Sequence, residues 1–285
     1  GMDNTALAHL HSFTSKLLAR MQLLSLNRDD QSLVLADSLL LHALIQPHTG
    51  SLPTQLVVIG PTQSGKSTIV NLLLGGEFAV PSPLAGYTRH AQGFATRDLP
   101  LEVIANIDSL LPWLQRDTEG NLSNEELDEF SLQSVPAESS VENMTVWDTP
   151  DFDSVSSRGY RDTVPQICAM ADAIIMVVSR EKYADQSVWN LLQLLAPTNK
   201  PITLLVNKLQ PANRDALLSA VQEKLDGYGF GNITVTSLPQ LDLENPEQLF
   251  TDPAALELAV SLRQWAGAQT RSASVEAVGG FLRQH

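Results

Sequence analysis

Hydrophobic positions follow two different rhythms along this chain, and the change falls near residue 54. Leu7, Leu10, Phe13, Leu17, Met21 and Leu24 recur at three-and-four spacing, and Leu33 to Ile45 forms a second apolar stretch, which predicts two helices between residues 5 and 46. Asn27, with Asp30 three positions on, supplies a cap for the second. Pro47 to Pro53, with Gly50, is a turn-rich connector, so residues 2–54 read as a helical hairpin and its link. From Gln55 onward short apolar runs alternate with helical segments, the signature of a parallel sheet with crossover helices. Strands are predicted near 55–59, 91–97, 143–148, 172–179, 201–206 and 232–236, and helices near 66–74, 158–170, 185–196, 213–226 and 253–267. The fold expected is a three-layer α/β domain over 55–240 with a mostly parallel sheet, followed by a C-terminal helical segment over 241–285. The hairpin and that segment both carry apolar faces, and they are expected to pack together as one bundle beside the domain.

Residues 98–142 break the alternation. They carry eleven acidic residues against the single base Arg116, and so hold ten of the chain's fourteen net negative charges. Such a run reads as a solvated insertion, with a docking surface for a basic partner as the alternative. It is not a calcium loop, because the glycine after Asp117 falls at the wrong offset. With a net charge of −14 the chain lacks the clustered Lys and Arg that grip nucleic-acid phosphates over a broad surface, so no nucleic-acid partner is expected. The single cysteine, Cys168, sits among apolar residues and reads as a core residue of a cytoplasmic protein. No apolar run reaches the roughly eighteen residues of a spanning helix.

The chemistry-bearing pattern starts where Leu56-Val57-Val58-Ile59 runs into Gly60-Pro61-Thr62-Gln63-Ser64-Gly65-Lys66-Ser67 and then into a helical Thr68-Ile69-Val70. Strand, glycine-bounded loop, Lys-Ser and helix are the order a phosphate-cradling loop requires, because glycines let successive backbone N–H groups face the phosphates and the helix start adds positive potential. Lys66 then reaches the β- and γ-phosphates, and the Ser67 hydroxyl ligates magnesium. A second anchor is Asp148, at the end of the apolar Val146-Trp147 run and before Thr149-Pro150, placed to hold the metal through water. Between them Pro83-Leu84-Ala85-Gly86-Tyr87-Thr88-Arg89 is a loop whose Thr88 could close over phosphate and metal.

Further on, the strand Ile202-Thr203-Leu204-Leu205-Val206 ends in Asn207-Lys208, and Thr234-Val235-Thr236 ends in Ser237-Leu238. These two ends resemble the base-recognition motifs of GTPases, Asn-Lys-x-Asp and Ser-Ala-Lys/Leu. With the phosphate motifs they identify residues 55–240 as similar to the P-loop GTPases, with a Ras-like domain. Within that superfamily the chain looks most like the translation-factor-related and dynamin-like bacterial GTPases. The grounds are Tyr87-Thr88-Arg89, the insertion before Asp148, the lead-in Val141-Glu142-Asn143-Met144-Thr145-Val146, and the helices on both sides of the domain. The resemblance implies magnesium-dependent hydrolysis of GTP to GDP. Lys66, Thr88 and Asp148 would act in catalysis, and Ser67, Thr88 and Asp148 would hold Mg2+. Gly60, Thr62, Gln63, Ser64, Gly65, Lys66, Ser67 and Thr68 would surround the phosphates, with Asn207, Lys208, Gln210, Ser237 and Leu238 around the base. It also implies helical flanks suited to self-association or peripheral membrane contact.

Three positions depart from that pattern. Asp151 stands where the family has a glycine whose N–H turns toward the γ-phosphate, and a carboxylate there repels phosphate unless turned away or held by a cation. Phe152 stands where Ras-like enzymes carry a water-orienting glutamine. Asp153, a main-chain carbonyl or a cation near Gln63 are the substitutes, and Arg89 and Arg158 are candidates for an internal arginine finger. Gln210 replaces the aspartate that accepts two hydrogen bonds from guanine. Two alternatives therefore stay open: a nucleotide-regulated binding module with little hydrolysis, and a P-loop ATPase.

Overall fold

The central strands are built from the runs the sequence marks as apolar. The computed structural model describes residues 3–23, 31–46, 52–79, 90–118, 129–153, 163–269 and 281–283. Its strands are β1 (Thr54–Ile59), β2 (Ala91–Ala95), β3 (Gln115–Arg116), β4 (Glu129–Ser134), β5 (Met144–Asp148), β6 (Ala173–Val178), β7 (Ile202–Leu209) and β8 (Ile233–Pro239). They make one sheet in the order β3-β4-β2-β5-β1-β6-β7-β8, parallel throughout except for β2 against β5. At that antiparallel seam Gly93 lies opposite Trp147, and a side chain there would come within 2.8 Å of the indole ring. The interior strands are apolar on both faces because helices cover both.

Alternation along the strands divides the core in two. Leu56, Val58, Val146, Ile175 and Val177 face α3 (Lys66–Leu74) and α8 (Pro253–Gly267). Val57, Ile59, Trp147, Ile174 and Met176 face the layer built from α4 (Leu101–Leu110), α5 (Thr163–Met170), α6 (Gln186–Leu195) and α7 (Arg214–Tyr228). The hairpin, α1 (Asn4–Leu23) and α2 (Gln31–Ile45), joins this second layer: Leu7, Leu35, Leu39 and Leu40 are buried in it. Buried Asp37 fastens it, accepting hydrogen bonds from Thr14 Oγ1 at 2.7 Å, Ser15 Oγ at 2.6 Å and Trp113 Nε1 at 3.2 Å.

Hairpin and α8 thus lie on opposite faces of the sheet, and the single bundle expected from the sequence is not formed by residues 253–267. Two apolar sheet faces need two helix layers, and α8 completes the one that α3 begins. Arg263 ties it there, reaching the Leu73 carbonyl at 3.1 Å and Glu142 at 3.2 Å. Among the described residues beyond α8, Phe281 packs into the hairpin's side.

The stretch 98–142 is also more than a solvated run. Ile107, Leu110, Leu111 and Phe130 are buried, and β4 pairs with β2, Ala91 opposite Phe130, extending the sheet. The acids dominate the count there, but Val103, Ile107 and Leu110 recur at helical spacing and bury one face of α4. Residues 119–128, which hold four of those acids, lie outside the described residues, as do Asn27, the 47–51 part of the connector and residues 158–162 of the helix predicted over 158–170.

Candidate functional site

The loop between β1 and α3 emerges at the carboxyl ends of the strands, where Val58 pairs with Asp148 and Ile59 with Met176. Its conformation explains its residues. Gly65 has φ 85 and closes so tightly that a Cβ would run into the Asn207 amide. At Gly60 a Cβ would stand 2.6 Å from Ser64 Oγ and 2.9 Å from the Val177 carbonyl. Gln63 also takes a positive φ, 63, which a non-glycine residue adopts at some cost. No side chain among the described residues caps the start of α3, which leaves its first-turn N–H groups facing the loop without a side-chain acceptor there. Ser64 Oγ is buried with no partner among the described residues.

At the mouth of this loop three side chains from two elements meet. Lys66 Nζ lies 2.7 Å from Asp148 Oδ1, and Ser67 Oγ donates to Asp148 Oδ2 at 2.8 Å. Lys66 is only 3% exposed. Burial pulls its pKa down, but Asp148 and Asp151 outweigh that, so its pKa is raised and the ammonium stays charged. Asp151 Oδ1 sits 3.4 Å from the same ammonium. Burial pushes its carboxyl up to about 6 even though Lys66 pulls the other way. The misplaced carboxylate foreseen from the sequence is therefore engaged by a cation. Phe152 is half-buried and packs against the hairpin-side core. Thr149 steadies the turn through a 2.8 Å bond to the Val58 carbonyl.

Asp153 reaches back to the loop. Its Oδ1 accepts from the Thr62 N–H at 2.6 Å and from Thr62 Oγ1 at 2.8 Å, and its Oδ2 pairs with Lys182 Nζ at 3.0 Å. Burial works against the charge, but the Thr62 and Lys182 hydrogen bonds overcome it and hold the carboxyl below the usual range. Lys182, in the turn after β6, carries no motif and went unmarked in the sequence. The only signal was its position just past a strand end on the loop's side of the sheet.

The second pair of motifs meets the same loop. β7 runs past Val206 to Leu209 with a register shift, so Asn207 and Lys208 fall at a bulge beside Ser237, the partner of Val206. Asn207 Nδ2 donates to the Ser64 carbonyl at 3.1 Å, while its Oδ1 accepts from the Lys208 N–H at 2.9 Å. Lys208 has φ 57 and an exposed side chain. Gln210 is exposed at the start of a short 3-10 turn, and Ser237 is half-buried. Leu238 points into the core on the α3 side. Its side chain therefore cannot face a ligand. Thr68 is exposed on α3.

Of the residues singled out in the sequence, Gly60, Thr62, Ser64, Gly65, Lys66, Ser67, Asp148 and Asn207 are thus brought together. Thr88, Arg89 and Arg158 lie outside the described residues.

Residues 55–208 match the protein family described as 50S ribosome-binding GTPase. No curated protein matches the chain. Among solved structures it is similar to an oligomerised bacterial dynamin pair with a role in long-range sensing and tethering of membranes, at 14% identity over 100% of this chain and 55% of that one, with a TM-score of 0.54. It is also similar to Era in complex with MgGDPNP and nucleotides of 16S ribosomal RNA, at 17% identity over 78% of this chain and 58% of that one, TM-score 0.45. A third likeness is to translation elongation factor SelB from Methanococcus maripaludis with the GTP analogue GppNHp, at 13% identity over 78% of this chain and 36% of that one, TM-score 0.45. The chain spans less than two thirds of the length of each, and at these identities the likenesses speak for the fold alone.

Proposed function

The chain belongs to the 50S ribosome-binding GTPase family, and from that premise we propose a magnesium-dependent protein that binds GTP and hydrolyses it to GDP. The observation that carries this reading is the meeting of Lys66, Ser67 and Asp148 at the mouth of a glycine-closed loop. Two hard oxygen donors side by side fit magnesium, which keeps several waters and needs only one or two protein ligands beside the phosphates. Ser67 and Asp148 would hold that ion, with Thr88 as a third donor. When bound, the ion neutralises charge building on the phosphates.

The protein's own groups supply the rest. Lys66 places a desolvated positive charge where the β- and γ-phosphates lie, and the open N–H groups at the start of α3 cradle them. The orphaned Ser64 hydroxyl is a further donor facing into the loop. Asn207 and Lys208 frame the base, with Gln210 and Ser237 beside it. Transfer of the γ-phosphoryl group needs positioning and electrostatic stabilisation more than covalent help. Single-turnover hydrolysis of radiolabelled GTP tests this: release of phosphate that needs Mg2+ and is lost in Lys66→Ala supports it, and no release at all would favour a nucleotide-regulated binding module. Phe152, half-buried against the hairpin-side core, is the specific observation on that second reading's side, because a phenyl ring at that position cannot orient water by hydrogen bonding.

The proposal extends to a dynamin-like, cytoplasmic protein that self-associates or touches membranes peripherally. Supporting this are the exposed Phe13 and Leu17 on α1, flanked by exposed Lys16 and Arg20. No helix among the described residues is long and apolar enough to cross a membrane. Sedimentation with and without anionic vesicles, in GTP and in GDP, checks it.

A further inference from the structure

The segment just after Asp148 carries two carboxylates that both turn onto the phosphate loop. Asp153 Oδ1 lies 2.6 Å from the Thr62 N–H and 2.8 Å from the Thr62 hydroxyl, and Asp151 Oδ1 lies 3.4 Å from Lys66 Nζ. Lys182 grips the other oxygen of Asp153 at 3.0 Å and holds it in place. A backbone N–H donates one strong hydrogen bond, and this one is already used by an anion of the chain itself. A phosphate group with its own negative charge cannot enter beside a seated, ionised carboxylate without displacing it or suffering the repulsion of like charges at close range.

From this geometry we propose that Asp153 is an affinity-determining residue of the nucleotide site: an internal anion that occupies the loop and competes with the incoming phosphates. The inference rests on the reading of this loop as a nucleotide site. The fraction of molecules whose loop is free of Asp153 scales the apparent affinity, so releasing it tightens binding with no new contact to the ligand. Asp153 also links occupancy of the loop to the position of residues 151–153, because a bound phosphate moves the carboxylate off Thr62 and frees it to remain with Lys182 alone.

The test is calorimetric titration of GDP, GTP and guanosine into wild type, Asp153→Asn and Asp153→Ser, with thermal unfolding of each unliganded protein to establish that it is folded. Two neutral side chains of different size guard against a packing fault peculiar to one. The expected result is several-fold tighter GDP and GTP in both variants, with guanosine unchanged because it has no phosphate to compete. Nucleotide binding in the variants and none in wild type would support the competition still more strongly. If wild type binds GDP and both folded variants bind it equally or more weakly, Asp153 is a structural brace and the proposal falls while the nucleotide site stands. If no form binds guanine nucleotide, both fall.

Discussion

Asn207, at the end of β7, donates its side-chain N–H to the carbonyl of Ser64 at 3.1 Å. A residue read from the sequence as framing the base is therefore also a strut of the phosphate loop, and the close approach that it makes is what requires glycine at position 65. Asn207→Ala removes a buried hydrogen bond from a strained loop. A loss of about 1–3 kcal/mol follows, hence roughly fivefold to a hundredfold in nucleotide affinity. Calorimetry with GDP measures it, and an unchanged affinity would mean that the contact does not support the site.

Lys66→Ala is expected to abolish triphosphate binding and to lower stability as well. The substitution leaves Asp148 and Asp151 buried without their shared counter-charge, which in comparable buried pairs costs about 3–5 kcal/mol. Calorimetry and thermal unfolding together check this. A variant as stable as wild type would show that the two carboxylates find other partners.

Much of the site was legible because its chemistry needs fixed residue types at fixed spacing. Gly60, Gly65, Lys66 and Ser67 follow a strand and open a helix, and the central strands announce themselves as continuous apolar runs. The boundaries of α3 and α8 coincide with those predicted from periodicity. What the sequence hid is long-range or masked by composition. Nothing local marks Lys182 as the partner of Asp153, since 29 residues separate them. Charge hid the apolar face of α4, and an apolar face alone does not say which side of a sheet its helix will cover, so the hairpin and α8 were expected in one bundle.

Stability should depend on pH through Asp151. Burial raises its carboxyl from 3.8 to about 6. With the folded value above the unfolded one, the native state keeps a proton that the unfolded chain has released, so stability falls as pH rises between about 4 and 6 and is level above. A shift of this size corresponds to an order of magnitude of ~3 kcal/mol. Asp151→Asn removes the effect: it should unfold at a higher temperature than wild type near neutral pH, and the gap should close toward about pH 4. A gap that widens on acidification would contradict the assignment.

Guanine preference should be real but modest in the parent protein. Gln210 is exposed and offers a neutral acceptor where a carboxylate would accept with full charge. Hydrogen bonds to charged groups contribute roughly 1.5–3 kcal/mol against about 1 for neutral ones, so Gln210→Asp should sharpen GTP over ATP by about tenfold. Competition binding decides it, and a variant no more selective than the parent would take Gln210 away from the base.

The identity of the ligand is read most directly by titration of GTP and ATP, side by side and in the presence of Mg2+, into the wild-type protein. Saturable binding of GTP that is tighter than that of ATP and is weakened by chelating the metal is the expected result. Equal or tighter binding of ATP, or no binding of either nucleotide to the folded protein, would contradict it.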